Sequence, residues 1–149
     1  MSEKYHLPPF LIGQVTQEVY KRWLHRKAQA ILRHDRKRRK TATGEAYQVA
    51  IHAAVLESGG LDAYTGEKLD WSLISRYDNE KSRKDGSRYK HDFAFLPTVD
   101  HVRGENSQLA FKICGWRTND AKNDLELKEF LDLCRIVLKH HGYSVTNGG

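Results

Sequence analysis

Residues 96–125, LPTVDHVRGENSQLAFKICGWRTNDAKNDL, decide the fold class of this chain. An apolar run, rich in β-branched and aromatic side chains, ends in the ionisable pair Asp100-His101 and is followed by a turn-forming segment. A second run of the same kind leads into a short amphipathic stretch. Together these predict a strand–turn–strand–helix unit in an α+β domain. The predicted elements are strands over 93–102 and 108–114 and a helix over 118–123.

Helices are predicted on both sides of this unit. Apolar residues recur at helical spacing after Thr16, a suitable N-cap, and again in a small-residue stripe that Gly59-Gly60 closes. The predicted helices are 16–38, 45–57 and 125–141; residues 69–74 are predicted as a short strand or extended segment and 76–92 as a long exposed loop. The expected organisation is a basic helical extension over 1–60 packed on the same domain, a core over 61–141 and a frayed tail over 142–149.

Length and composition describe one globular domain. The chain has 149 residues, of which 39% are hydrophobic and 30% charged. No apolar run approaches the roughly 20 residues of a membrane span. The N-terminus has no apolar core typical of a signal peptide. Cys114 and Cys134 are therefore expected to be free thiols, and we expect a cytoplasmic protein with no membrane partner.

The charge distribution indicates a polyanionic partner. The formal net charge is +6, and residues 21–40 hold ten of the 25 basic residues against a single acid, Asp35. A solvated helix face is the plainer explanation, but charges of one sign repel unless a partner neutralises them. We expect contacts to the nucleic-acid backbone from this helix and from the 76–92 loop. The candidates are Arg22, Arg26, Lys27, Arg33, Arg36, Lys37, Arg38, Arg39 and Lys40, with Arg83, Lys84 and Arg88 from the loop.

The polar residues of the quoted stretch suit phosphodiester hydrolysis. A carboxylate and amide oxygens are ligands for a hard ion such as Mg²⁺ or Mn²⁺, and a neutral histidine can take a proton from water. Neighbouring strand residues point to opposite faces, so Asp100 and His101 can share one cleft only if the strand is distorted near residue 101. Asn119 and Asn123, four apart, are expected on one face of the short helix, with Lys122 beside them.

The pattern V-D-H-V … N-x-x-K-N-D-L resembles that of the HNH endonucleases, the ββα-metal or His-Me finger nucleases, over about residues 61–138. The resemblance implies a ββα-metal finger that binds one divalent metal ion. It makes His101 the general base, Asp100 and Asn119 metal ligands, and Asn123 a candidate third ligand. It makes Asn106 a structural residue of the loop between the strands, and Lys122 a phosphate contact or a brace for the site.

One departure from the family concerns zinc. Members with a structural zinc use two Cys-x-x-Cys pairs, and those places hold Tyr64-Thr-Gly-Glu67 and Cys114-Gly-Trp-Arg117 here. One cysteine cannot make a closed tetrahedral site, so no structural zinc is expected. Tyr64 and Trp116 are expected to pack where the zinc knuckle would be.

The function that the resemblance implies is metal-dependent hydrolysis of DNA phosphodiester bonds. One active site is expected to nick one strand, so double-strand cleavage would require a homodimer or two binding events. Two alternatives stay open. One is a nucleic-acid-binding module that keeps the fold without chemistry, and the other is a nuclease for RNA or structured DNA.

Overall fold

A computed structural model describes residues 4–35, 43–76, 83–103 and 109–148. It contains helices and a two-stranded antiparallel sheet, as expected for the α+β class. The chain divides into two compact units, Met1–Asn119 and Asp120–Gly149, so the helical extension of residues 1–60 belongs to the first. Within the described residues, no helix has the length and apolar character that crossing a membrane requires.

Two helices form the N-terminal part of the first unit. Helix α1 spans Gln17–Asp35, and its predicted N-cap is confirmed because the Val19 N–H donates to Thr16 Oγ1 over 3.1 Å. Its predicted last turn lies outside the described residues. Helix α2 spans Gly44–Ser58 and ends, as predicted, at Gly59 in the left-handed conformation (φ 61°).

The core of the first unit lies between these helices and the sheet. Trp23 and Trp71 are buried edge to face, with ring centroids 5.3 Å apart. His52 of α2 packs against α1, and its Nδ1 is 2.6 Å from the hydroxyl of Tyr20. The larger buried side chains of this core include Leu11, Tyr20, Trp23, Leu24, Tyr47, Ile51, Trp71, Ile74, Phe111 and Ile113.

The extended segment predicted over 69–74 is wrong. Residues Trp71–Ser75 form a 3-10 helix, and the Asp70 carboxylate caps it by accepting from the Ser72 N–H at 3.1 Å. A strand would turn Ile74 away from Trp71, whereas residues three apart share one side of a 3-10 helix. Both side chains are buried here, so burial of an apolar cluster decided the local conformation.

The exposed loop predicted over 76–92 is also wrong in part. Helix α3 spans Ser87–Asp92, and Tyr89 on it is buried. The Tyr89 ring packs against the rings of Phe93 and Trp116, with centroid distances of 4.4 Å and 6.4 Å. Aromatic contacts therefore anchor a segment that its charged composition had indicated to be loop. Residues 77–82 lie outside the described part of the chain.

The predicted hairpin is present with shifted ends. Strand β1 spans Pro97–Arg103 and strand β2 spans Leu109–Gly115, paired antiparallel. β1 starts later than predicted because residues 93–96 form a turn, in which the Leu96 N–H donates to the Phe93 carbonyl. Helix α4, Trp116–Lys122, follows β2 directly, and helix α5, Leu127–His140, begins at a capping box made by Glu126 and Glu129.

Gly115 closes the junction between β2 and α4. A Cβ at this residue would lie 2.7 Å from the Ala94 carbonyl oxygen. We expect Gly115→Ala to lower the free energy of unfolding by about 1–3 kcal/mol, because backbone must shift to admit the methyl group. Gly148→Ala, which meets nothing within 4 Å, is the control and should change it by less than about 0.5 kcal/mol. Equal denaturation midpoints for the two variants would contradict this.

Candidate functional site

The hairpin presents two chemically different faces. The register pairs Thr98 with Cys114 and Asp100 with Lys112, so these four side chains start from one face of the sheet. His101 is paired with Phe111 and lies on the other face. β1 keeps its pairing through Arg103, so the distortion that a shared cleft for Asp100 and His101 would require is absent from this strand. Asp100 and His101 therefore point to opposite faces of a regular strand.

Asp100 is a buried carboxylate with a phenol as partner. Asp100 is 6% exposed, and its Oδ2 accepts a hydrogen bond of 2.5 Å from the Tyr64 hydroxyl. Burial raises the pKa of Tyr64 well above its usual value, and the hydrogen bond to Asp100 raises it further. Tyr64 therefore stays protonated and continues to donate to the carboxylate.

Asp62 fixes the turn that carries Tyr64. One of its carboxylate oxygens accepts from the N–H groups of Tyr64 (2.8 Å) and Thr65 (3.0 Å). The other oxygen accepts from the Gly115 N–H at 2.9 Å. The segments of residues 64–67 and 114–117, which replace the cysteine pairs of the pattern that the sequence resembles, are thus joined by hydrogen bonds to one buried carboxylate. Asp62 was not among the predicted site residues, although Asp at the start of a turn is typical of such side-chain capping.

Asn119 lies on the same side of the sheet as Asp100. Its Nδ2 donates to Thr98 Oγ1 over 3.1 Å, and the Thr98 hydroxyl donates to the Cys114 carbonyl over 2.8 Å. Thr98 and Asp100 are two apart on β1, which separates them by about 7 Å along one face. With Nδ2 used as the donor, Oδ1 is the Asn119 side-chain atom that can act as a ligand.

This donor set fits a hard divalent cation. A carboxylate and an amide carbonyl are oxygen ligands, and Mg²⁺ is commonly held by few protein groups while it keeps several waters. In the described ranges, no three His, Cys, Asp or Glu side chains cluster closely enough to bind a metal ion. A site here would thus rest on Asp100, Asn119 and water.

Two expected site residues belong to the second unit. Lys122 is buried, and its ammonium group donates to the Leu125 carbonyl within that unit. Asn123 is exposed and follows the end of α4 with φ 53°. The expectation that Asn119 and Asn123 share one helix face is wrong. Asn123 instead occupies the left-handed position after a helix, which asparagine tolerates better than most residues.

Six of the predicted residues lie outside the described part of the chain. Asn106 falls between β1 and β2, at a position outside the described residues. The same holds for the basic run after α1. The residues of that run are Arg36, Lys37, Arg38, Arg39 and Lys40.

His101 meets helix α1 on the opposite face of the hairpin. Its Nε2 lies 3.0 Å from Asp35 Oδ2, and its ring packs edge-on against Phe111 with centroids 5.2 Å apart. Asp35 was not among the predicted site residues. The signal for it was its isolation as the single acid in a strongly basic window.

A cationic groove lies between α1 and the start of β1. Its volume is about 880 Å³, and among the described residues no Asp or Glu lines it. Thr98, which binds Asn119, lies in its wall, so the groove leads toward the Asp100 face of the sheet. The side chains that give it positive charge are Arg22, Arg26, Lys27 and Arg33, with Trp23 and Trp116 among its apolar walls.

Lys27 is the most enclosed of these cations. Burial lowers its pKa, and the neighbouring charge of Arg26 lowers it further. A bound anion would offset both effects, because it would supply the counter-charge that these side chains do not give one another. Four of the predicted nucleic-acid contacts therefore line one groove with the electrostatics of an anion site.

The remaining predicted cations differ in setting. Arg83, Lys84 and Arg88 are exposed. Arg88 lines a second, smaller cavity together with Asp85 and Asp92, so its charge is partly balanced there. These residues are not part of the cationic groove.

Comparisons with protein-family models, with curated proteins and with solved structures found no match to this chain.

Proposed function

We propose that the protein is a metal-dependent endonuclease of the HNH type that hydrolyses DNA phosphodiester bonds. The observation that carries the proposal is the cationic groove. Thr98 lies in its wall and accepts a hydrogen bond from Asn119. Thr98 shares a face of the sheet with the buried Asp100. A strand–strand–helix order with these two oxygen donors agrees with the ββα-metal finger that the sequence pattern resembles.

The groove would bind the nucleic-acid backbone. Phosphates attract clustered Lys and Arg side chains through counterion release, and such contacts position a strand without reading its sequence. Trp116, which is half-buried in the wall, can pack against sugars or bases. A DNA strand bound in the groove would run beside β1 and bring a phosphodiester toward Asp100.

Asp100 and Asn119 would hold the divalent ion. Bound there, such an ion supplies positive charge to the scissile phosphate and the leaving oxygen. Asp100 contributes a formal charge, and Tyr64 holds its carboxylate in place. Thr98 orients the Asn119 amide so that its carbonyl oxygen is the available ligand atom.

His101 would take the proton of the attacking water. In displacement at phosphorus the attacking and leaving oxygens are roughly in line, so they lie on opposite sides of the phosphate. A phosphate at the edge of β1 would meet His101 from one face of the strand and Asp100 from the other. The water oxygen forms a bond to phosphorus as its proton passes to the imidazole, and the bond from phosphorus to the leaving sugar oxygen breaks. The alternation of β1 thus suits this chemistry without a distorted strand.

A plasmid assay tests the proposal. Supercoiled DNA incubated with the full chain and Mg²⁺ or Mn²⁺ should convert to the nicked form, and chelator should stop the conversion. Linear DNA appearing only at high protein concentration would indicate paired active sites. Absence of metal-dependent cleavage of DNA would overturn the proposal. Cleavage confined to RNA or branched DNA would show that the protein is a nuclease with a substrate other than the one proposed.

The non-catalytic alternative has one observation in its favour. Asp100 already has a donor in Tyr64, and His101 already has a partner in Asp35, so both polar groups are satisfied without any reaction. On this alternative the protein binds nucleic acid through the groove and cuts nothing. Salt-sensitive DNA binding without cleavage of any nucleic acid would select it.

Neutralising the groove should weaken DNA binding in a salt-dependent way. We expect replacement of Arg22 and Arg26 by glutamine to reduce the slope of log affinity against log salt by about 0.9 for each phosphate that the protein no longer neutralises. Fluorescence anisotropy with duplex DNA in chelator measures this. Lys128→Gln with Arg135→Gln removes the same charge from α5 and should leave the slope nearer to that of the wild type. Equal slopes for both double variants would exclude the groove as the binding surface.

A further inference from the structure

The contact between His101 and Asp35 joins residues 66 positions apart in the chain. The separation of Nε2 from Oδ2 is 3.0 Å, and the two side chains are 44% and 13% exposed. Asp35 is the last residue of α1, and His101 lies on β1. The strand and the basic helix therefore meet at a histidine and a carboxylate.

Both members of this pair are held in place by neighbours. The Tyr47 hydroxyl, on a fully buried side chain of α2, donates to the same Asp35 oxygen over 2.9 Å. On the other side, the His101 ring stands at 86° to the Phe111 ring. A carboxylate anchored by a buried tyrosine and a ring fixed by an aromatic contact leave the imidazole little rotational freedom.

The chemistry of the contact selects one form of the imidazole. An ionised carboxylate only accepts hydrogen bonds, so Nε2 carries the proton when this hydrogen bond forms. In the neutral ring, Nδ1 then has the lone pair and is the nitrogen that can accept a proton. Since His101 is nearly half exposed, water can reach the ring.

We propose that Asp35 is the positioning residue for His101, which orients the imidazole so that Nδ1 faces the attacking water. This inference rests on the proposed function, and it assigns part of the catalytic apparatus to the N-terminal helix. During hydrolysis the proton of water moves to Nδ1, the proton on Nε2 stays in place, and the Asp35 carboxylate stabilises the resulting imidazolium. The carboxylate itself is not protonated, as in other histidine–aspartate arrangements.

The alternative is that the pair only ties α1 to the sheet. A second ion pair also joins a helix to the hairpin across a long stretch of sequence. Lys112 Nζ lies 3.1 Å from Glu57 Oε1 and links β2 to α2. Glu57 does not touch His101, so Glu57→Gln is a matched control for removal of a carboxylate between a helix and the hairpin.

A double-mutant cycle separates these two roles. We expect Asp35→Asn to slow metal-dependent plasmid nicking at least tenfold with DNA affinity in chelator unchanged, and Glu57→Gln to change neither. In the His101→Ala background, Asp35→Asn should cause no further decrease, because a residue that acts through the histidine has nothing left to orient. The positioning role would be overturned if Asp35→Asn lowered the nicking rate by the same factor with and without His101. It would also be overturned if Asp35→Asn alone did not lower the rate.

A spectroscopic measurement tests the pair without cleavage. Ring-nitrogen chemical shifts of His101 should show the proton on Nε2 in the wild type and a mixed or reversed population in Asp35→Asn. If Asp35→Asn does not fold, Tyr47→Phe removes one hydroxyl from the same network and should shift the populations in the same direction. An unchanged tautomer in the variants would overturn the inference even if the enzyme cuts DNA. If the wild type shows the Nε2 tautomer but cuts nothing, the proposed function is wrong, and so is the catalytic role of Asp35. The hydrogen bond between Asp35 and His101 would still stand.

Discussion

His101→Ala should lower the rate of metal-dependent DNA nicking by about 10²–10⁴-fold, the usual contribution of a positioned general base. The reason is that alanine leaves no group on this face of β1 to take the proton from water. The affinity for DNA in chelator should stay unchanged, because the cationic groove does not include His101. Single-turnover nicking at saturating protein measures the chemical step apart from binding.

The control for this substitution is another histidine in the same unit. His91 is almost fully exposed at the end of α3, and we assign it no role. His91→Ala should nick at the wild-type rate. If His101→Ala also nicked at that rate, the base would be a different group. A melting temperature far below that of the wild type would show instead that the slower nicking reflects unfolding.

Asp100→Asn should abolish metal-dependent stabilisation of the fold. Asparagine keeps the shape and can still accept from Tyr64, but it removes the one formal negative charge of the proposed metal site. A ligand at 100 times its Kd stabilises the native state by about 2.7 kcal/mol. For a chain of this size that corresponds to a rise in Tm of about 5–10 °C. We expect this rise with Mn²⁺ in the wild type and none in Asp100→Asn.

Calorimetry or thermal denaturation with and without Mn²⁺ measures this effect in the absence of DNA. Asp70→Asn is the matched control, because asparagine caps a helix about as well as aspartate and Asp70 lies at a separate 3-10 helix. A Tm rise of equal size in Asp100→Asn and the wild type would place the metal elsewhere. If Asp100→Asn does not nick DNA but keeps the Mn²⁺-induced rise in Tm, Asp100 serves the reaction without binding the ion.

The elements that the sequence predicted well are those with strong local signals. Thr16 before an apolar helical repeat and Gly59 after a small-residue stripe mark helix ends through their own backbone chemistry, and both are confirmed. The two strands also follow from local composition, although Phe93 and its neighbours form a turn before β1.

The failures share one cause, which is burial that local patterns do not report. Residues 69–74 have strand-like composition, but packing of Trp71 and Ile74 into the core favours a 3-10 helix. Tyr89 anchors a helix in a segment whose charges indicated an exposed loop. Asn123 has the right spacing from Asn119 for one helix face, but the helix ends at Lys122.

The candidate site divides in the same way. Asp100, His101 and Asn119 were identifiable as candidates from residue types, order and spacing, because the proposed hydrolysis needs those groups. Their supports were not: Asp62, Tyr64 and Asp35 act across 53, 36 and 66 positions of sequence.

The sequence by itself therefore determined the α+β class, the main helices and strands, the basic character of α1 and the residue types available to the proposed site. These depend on periodicities of 3.6 and 2 residues, on capping groups and on charge, which are properties of neighbouring residues. Only the tertiary structure decided that β1 pairs regularly through Arg103, that Tyr64 binds Asp100 and that Asp35 binds His101. Such contacts arise from packing between distant segments, and no local pattern specifies them.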